Sequence, residues 1–234
     1  MLSLVAQSLV PDRCFLCGSL GEVVCRACVL EIRTSHHEHC PLCGQASVFP
    51  VPCICGESSI SFCTLFSLTT KLRKYLHLVK YNSQKNLIST VPMLLAEPQL
   101  KSLALISKTP NVLLVPIPLH KSKEKERGFN QARLIAQALS RVTGAPLGDL
   151  LVRVKKTKQQ AQTPRRSDRN LNTARAFECP ARAEADPKTL VVLVDDVITS
   201  GSTMIAAAHA LRRRGINRVW GLGLAQEDWR GRGY

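Results

Sequence analysis

The chain has 234 residues, 45% of them hydrophobic, and its 32 Lys and Arg against 17 Asp and Glu give a formal net charge of +15. This length and composition suit one ordinary domain with a small satellite and exclude a chain too polar to bury a core. The charge points to a polyanionic partner or a phosphate-rich ligand, although basic balance alone does not say which, and a merely solvated surface is the plain alternative.

The first ten residues lack a basic leader and are broken by Ser3, Gln7 and Ser8, so neither a signal peptide nor membrane insertion is expected there, and no later apolar run is long enough to span. The expected location is the cytoplasm, where ten cysteines act as metal ligands more readily than as disulfides. Nine of the ten lie between Cys14 and Cys63. Eight of these nine form three pairs of two-residue spacing, Cys14 with Cys17, Cys25 with Cys28 and Cys40 with Cys43, followed by the closer pair Cys53 and Cys55. Two-residue spacing lets both thiolates of a knuckle face one tetrahedral zinc, and two knuckles complete a site. Gly18 and Gly44 each follow a knuckle and suit the tight turn it needs. One or two Zn²⁺ ions are expected. Spacing leaves the pairing open: the first knuckle joins either Cys25 and Cys28 or Cys40 and Cys43. His36, His37 and His39 could substitute as zinc ligands, although histidines in a polar linker are more often solvated, and Cys63 and Cys179 are expected to pack as small apolar side chains.

From Thr69 the pattern turns helical, with Leu72, Leu76 and Val79 on one face and Lys71, Arg73, Lys74 and Lys80 on the other. The main domain is placed at 67–234 and the cysteine module at 1–66. After an apolar segment around Val91 to Leu105, a strand is expected over Val112 to Pro116. Pro116 and Pro118 cannot donate in a ladder, so the chain should leave the strand there as a loop running through His120 and Lys121 to Arg127-Gly128-Phe129-Asn130-Gln131. A helix carrying Ala132, Ile135, Leu139 and Val142 follows and ends at Gly144. From Arg153 to Arg175 no period survives. Lys155, Lys156, Lys158, Arg165, Arg166, Arg169 and Arg175 alternate with amides, which reads as a mobile basic loop. Ala176 to Lys188 reads as a surface connection.

The stretch from Leu190 to Thr203 carries the chemistry. Leu190 to Val194 are apolar without alternation, as in a strand buried on both faces of a mainly parallel sheet. Asp195 and Asp196 close that strand, Thr199-Ser200-Gly201-Ser202-Thr203 makes a loop of small donors, and a helical pattern begins at Ser202. Carboxylates accept from a sugar diol, while loop N–H groups and hydroxyls at a helix N-terminus hold a phosphate, so the implied ligand is a ribose 5-phosphate. Asn217 to Ala225 returns as a strand and completes a β-α-β unit.

The Asp195 to Thr203 stretch resembles the phosphoribosyl pyrophosphate (PRPP) loop of type I phosphoribosyltransferases. With Lys80-Tyr81, the run Glu126 to Gln131 and the cysteine module added, nearly the whole chain resembles the ComF family of competence proteins, including its ComFC and GntX-like members. The resemblance implies an α/β fold, with a type I phosphoribosyltransferase-like, mainly parallel sheet and flanking helices behind an N-terminal zinc ribbon. It implies that Asp195 and Asp196 hold the ribose hydroxyls directly or through Mg²⁺ and that Thr199, Ser200, Gly201, Ser202 and Thr203 hold the 5-phosphate. Lys121, Arg127, Lys155, Lys156, Arg165, Arg166 and Arg169 fall in segments that contact pyrophosphate or a nucleic-acid backbone. The family is associated with uptake of single-stranded DNA in natural transformation, which adds that DNA and other competence-machinery proteins as expected partners. Ser200 replaces a frequent threonine and keeps the hydroxyl, whereas the Cys53–Cys55 spacing departs from the pattern and weakens the second zinc site. No residue marks an acceptor. Three readings follow: a handler of internalised single-stranded DNA, a Mg²⁺-dependent phosphoribosyltransferase, and a PRPP-sensing regulator.

Overall fold

Strand and helix follow one another in the order the apolar periods dictate. In the computed structural model, which describes residues 13–35, 40, 60–81, 85–155, 176–181 and 185–227, the elements are α1 (Arg26–Arg33), β1 (Ser61–Ser67), α2 (Thr70–Tyr81), a 3-10 segment (Lys85–Thr90), α3 (Val91–Leu94) and α4 (Glu97–Lys108). They continue with β2 (Val112–Pro116), α5 (Lys121–Arg127), α6 (Gln131–Thr143), β3 (Val152–Arg153), β4 (Phe177–Glu178), β5 (Leu190–Ile198), α7 (Ser202–Arg212) and β6 (Val219–Gln226). The main sheet has the order β1-β6-β5-β2, and every pairing in it is parallel.

β5 is central and its first five residues are buried, as the unbroken apolar run requires of a strand covered on both faces. On one face Leu114, Val192, Val194, Leu222 and Leu224 pack with Leu72, Tyr75, Val79, Ile106, Ile135 and Leu139 from the helices. On the other, Phe62, Val115, Val191, Leu193 and Val219 meet Met204, Ala207, Ala208 and Leu211 of α7. Gly221 permits that approach: a Cβ there would lie 2.6 Å from Met204 Sδ and 2.9 Å from Phe62 Cδ1.

The structure departs from the sequence expectations in four places. Residues 61–66, grouped with the cysteine module by composition, form the edge strand of the main sheet by pairing with β6. The loop expected after Pro118 contains α5, capped by His120, whose side chain accepts from Ser122 N, and stopped by Gly128 at φ 75°. Arg153 does not begin a mobile loop. It lies in β3, antiparallel to β4 and bridged to His120, with its guanidinium 5.2 Å from the centroid of the Phe177 ring. Ala176 and Phe177, expected in a surface connection, are fully buried because they close the α7 side of the core.

The cysteine segment shares the core of the sheet. Cys14, Leu16, Val24, Cys28 and Ile32 join the cluster that contains Leu65, Phe66, Leu72 and Tyr75. Polar ties support this contact: Lys74 Nζ donates to Leu16 O at 2.6 Å, Ser67 N to Ser35 O at 2.6 Å, and Arg33 Nε to Met93 O at 3.0 Å. Among the described residues no helix is long and apolar enough to cross a membrane.

Candidate functional site

Parallel strands deliver their carboxyl ends to one edge of the sheet, and the polar residues that follow β5 and β2 meet there. Asp195 and Asp196 are half-buried at the end of β5. Each ties one oxygen to the next backbone amide: Asp195 Oδ1 accepts from Asp196 N at 2.9 Å and Asp196 Oδ1 from Val197 N at 2.8 Å. These bonds hold one oxygen of each carboxylate in place. Burial first, then the neighbouring Asp196 charge, pushes the Asp195 carboxyl well above the usual carboxylate range, while Arg153 works in the opposite direction. A cation or a diol placed against Asp195 would offset the same cost.

The loop from Thr199 enters α7 through Gly201, which takes φ 70° at the N-cap and makes no side-chain cap. Ser200 Oγ and Ser202 Oγ are 3.0 Å apart. Thr199 is exposed, and Ser200, Ser202 and Thr203 are half-buried. An 11-residue helix that begins with Ser202 and Thr203 and is preceded by Thr199, Ser200 and Gly201 presents backbone N–H groups and a positive dipole end to one point.

The basic residues divide into two groups. One group lies about Lys123: burial lowers the affinity of its ammonium for a proton, the charges of Arg153, Lys80 and Arg127 lower it further, and Glu126 works in the opposite direction. Lys121 faces elsewhere. It borders a cleft of about 360 Å³ with Pro116, Pro118, Glu124, Arg133 and Arg153, so Arg153 touches both places. Lys155 is described and exposed, whereas Lys156, Arg165, Arg166 and Arg169 lie outside the described residues. Lys123 belongs to the basic loop expected after Pro118 but not to the expected site residues, because α5 has no apolar period to reveal which of its lysines turns inward. Lys80 was placed on the solvent face of α2, and its half-buried position depends on a contact distant in sequence.

Part of the Glu126 to Gln131 run is architectural. Gly128 ends α5 and Phe129 enters the core. Asn130 caps α6 through Oδ1, which accepts from Ala132 N at 3.0 Å, and its Nδ2 donates to Ile117 O at 2.9 Å. Ile117 N in turn donates to Val194 O at 2.9 Å, one residue before Asp195. Asn130→Ala is therefore expected to cost about 2–4 kcal/mol, combining a lost cap with an unpaired buried carbonyl. Thermal unfolding checks this, and an unchanged melting temperature would contradict it.

The cysteines form the second centre. The sulfurs of Cys14, Cys17, Cys25 and Cys28 all lie within 4.8 Å of one another. Cys14 and Cys28 Sγ are 3.8 Å apart and Cys17 and Cys25 Sγ 3.5 Å, close to the edge of about 3.8 Å that a tetrahedral zinc with 2.3 Å bonds requires. This geometry resolves the pairing that spacing left open: consecutive knuckles meet. Gly18 at φ 82° turns the first knuckle, Gly18 N donating to Cys14 O at 2.7 Å, and Cys25 N donates to Cys14 Sγ at 3.4 Å. The Ser19 hydroxyl, then its backbone amide, draw the Cys17 thiol down to about 6, and the Ser19 hydroxyl also leads the lowering of Cys25. Burial raises Cys28, a cost that a bound dication offsets. Cys40 is buried outside this group; Cys43, Cys53 and Cys55, with His36, His37 and His39, lie outside the described residues.

The parallel sheet carries flanking helices, an acidic pair at the end of β5 and a glycine-capped loop after it, and residues 126–220 match the phosphoribosyl transferase domain family. That match runs from the end of α5 to the start of β6 and includes both the Asn130 clamp and the Asp195 to Thr203 loop. The chain is 39% identical to Competence protein F of Haemophilus influenzae over 115 residues, 48% of this chain and 50% of that protein, so the match spans half of that relative's length. It is 25% identical to Competence protein ComFC of Bacillus subtilis over 83% of this chain and 80% of that one. With the DNA utilization protein YhgH of Escherichia coli K12 it shares 29% identity over 90% of this chain and 95% of that one. The chain is thus similar to competence and DNA utilization proteins, matches a phosphoribosyl transferase domain over residues 126–220, and has a four-cysteine cluster that could hold a metal ion.

Proposed function

We propose that the chain binds PRPP at the carboxyl end of β5 and acts in competence as a cytoplasmic protein that handles internalised single-stranded DNA. The observation that carries the ligand is the fixed acidic pair followed directly by the Gly201-capped loop, which suits a ribose ring and its 5-phosphate in one reach. The carboxylates of Asp195 and Asp196 would take the ribose hydroxyls, with Mg²⁺ supplying charge neutralisation where it is bound. Thr199 to Thr203 would take the 5-phosphate, while Lys123, Arg127 and Arg153 favour the diphosphate. The donor set fits Mg²⁺, a hard cation that takes carboxylate oxygen. The four-cysteine centre would hold one zinc as a structural ion, since all four positions of the tetrahedron are sulfur.

Competence and DNA enter through the names of the relatives, single-stranded DNA through the family resemblance of the sequence, and the net charge of +15 favours a polyphosphate backbone. Partners among other competence proteins belong to the same reading. Incubating the protein with Mg²⁺ and PRPP, with and without single-stranded DNA, and measuring pyrophosphate release and PRPP binding tests it. Binding without release is the expected result and fits a scaffold or PRPP sensor. Release would make the chain a transferase whose acceptor is then to be found. Absence of binding under both conditions would remove the ribose phosphate reading.

A further inference from the structure

The connection from β4 to β5 is fastened by arginines at and beyond the end of α7. Arg213 Nη2 donates to Phe177 O at 3.2 Å, Arg214 Nη2 to Ala181 O at 3.3 Å and Arg218 Nη1 to Lys188 O at 2.9 Å. A carbonyl is neutral, so these bonds orient the guanidinium groups without cancelling their charge, and a group with five N–H donors keeps four after one is used. Arg213, Arg214, Arg218 and Lys188 are all exposed. Among the described residues no carboxylate forms an ion pair with any of them. Asp186, two residues before Lys188, spends Oδ1 on the Lys188 backbone amide at 2.7 Å.

The topology sets these cations at the edge opposite the strand-end site. α7 runs back from the carboxyl end of β5 to the amino end of β6. There Val191 N donates to Arg218 O at 2.9 Å and Leu190 N to Asn111 O at 2.8 Å, so Lys188 and Arg218 stand side by side where β5 and β6 begin, beside the entry to β2. Leu190 and Asp195 are five residues apart on β5, about 17 Å along an extended strand. A ribose phosphate held by the Asp195 to Thr203 loop therefore leaves this edge untouched. Helix dipoles account for Lys108 and Arg141, which close the last turns of α4 and α6, but their influence fades within that turn, whereas Arg214 and Arg218 lie beyond α7 and Lys188 precedes β5.

We propose that the amino-end edge of the sheet, centred on Arg213, Arg214, Arg218 and Lys188, binds a nucleic-acid phosphodiester backbone at a place separate from the ribose phosphate site. This rests on the DNA reading above and assigns the surface that makes the contact. The planar fork of a guanidinium matches the paired oxygens of a phosphate, and several forks held in fixed positions suit a polymer that repeats that group.

The test is fluorescence anisotropy of the full chain with a labelled oligothymidylate over a range of salt, beside calorimetric titration with Mg²⁺-PRPP. Replacing both arginines, Arg214→Gln with Arg218→Gln, should lower the slope of log affinity against log salt by about 1.4 and weaken DNA binding about 25-fold at roughly 0.1 M salt, from about 0.7 per phosphate contact on a single strand. Arg214→Lys with Arg218→Lys should recover the slope, which counts charges, and only part of the affinity, which also depends on the fork. Both double variants should keep the wild-type affinity for Mg²⁺-PRPP and melt within about 5 °C of wild type. A larger fall in melting temperature, or a parallel loss of Mg²⁺-PRPP affinity, would show that the arginines only hold the connection in place and would overturn the proposal. So would polyglutamate competing as well as the oligonucleotide, which would assign the edge to an acidic polypeptide. If wild type binds DNA and the glutamine variant binds it equally well, this surface is wrong and the DNA reading stands; if wild type binds no DNA at low salt, both fail.

Discussion

Asp195→Asn is expected to make the protein more stable and unable to bind Mg²⁺-PRPP. Burial and the Asp196 charge raise the Asp195 carboxyl, so the folded chain holds a proton there more readily than the unfolded chain does. The stability this provides is complete below the ordinary carboxylate value near pH 4 and is lost as pH rises through the raised value, where the buried group must ionise. Asparagine keeps the shape and removes the charge. At neutral pH the gain should be on the order of 1–2 kcal/mol, roughly 2–8 °C for a domain of this size. Thermal melts between pH 4 and 8 should show the two proteins converging at acid pH and the variant leading above it. A variant that melts lower than wild type at pH 7 would mean that the ionised carboxylate stabilises the fold. Mg²⁺-PRPP affinity of the wild type should rise with pH through the same window, because the ligand recruits the ionised form. A stabilising loss of ligand binding is what a site built for binding at the expense of stability produces.

Cys14→Ser should have the larger effect on the fold. Cys14 is buried, lies 3.8 Å from Cys28 Sγ, and belongs to the apolar cluster that backs β1 and α2. Losing one sulfur should release the metal from the four-cysteine centre and cost on the order of 3–5 kcal/mol, with a fall of roughly 10 °C or more. Cys40→Ser should retain the metal of that centre, because Cys40 stands outside the sulfur group. Elemental analysis of both variants with their melting curves decides this; loss of that metal in Cys40→Ser would revive the crossed pairing of knuckles.

What was legible in the sequence was whatever left a local mark. Leu190 to Val194 announced a strand covered on both faces, and the helices at 70–81 and 131–143 followed from Leu72, Leu76 and Val79 and from Ile135 and Leu139. The sequence Lys121 to Arg127 left no such mark. It is charged on every side, so only its ends, His120 and Gly128, could have signalled a helix, and a proline-rich approach argued against one. The pairing of cysteine knuckles was also hidden, because spacing within a pair says nothing about which pairs approach. Asn130 and Gln131 drew attention as part of a motif, but their clamps on Ile117 O and Leu76 O depend on partners 13 and 55 residues away. The same holds for Lys80. Its neighbours on α5 and β3 are assembled only when the helix is seated.

The edge strand has a consequence for how the molecule is made. β1 pairs with β6, from Ser61 with Trp220 to Ser67 with Gln226, and Thr64 Oγ1 donates to the buried Gln226 Oε1 at 3.0 Å. A chain leaving the ribosome therefore carries β1 unpaired until β6 has been made. β6 is the last of the described strands to emerge. Non-local pairings of this kind are slow and expose strand edges to other chains while they wait. The knuckles at Cys14 to Cys28 emerge early and can close on a metal locally, so an ordered N-terminal segment would be ready to cover Leu65 and Phe66 before the sheet exists. Metal supply during translation, more than metal supply afterwards, should then govern how much of the protein reaches its native form.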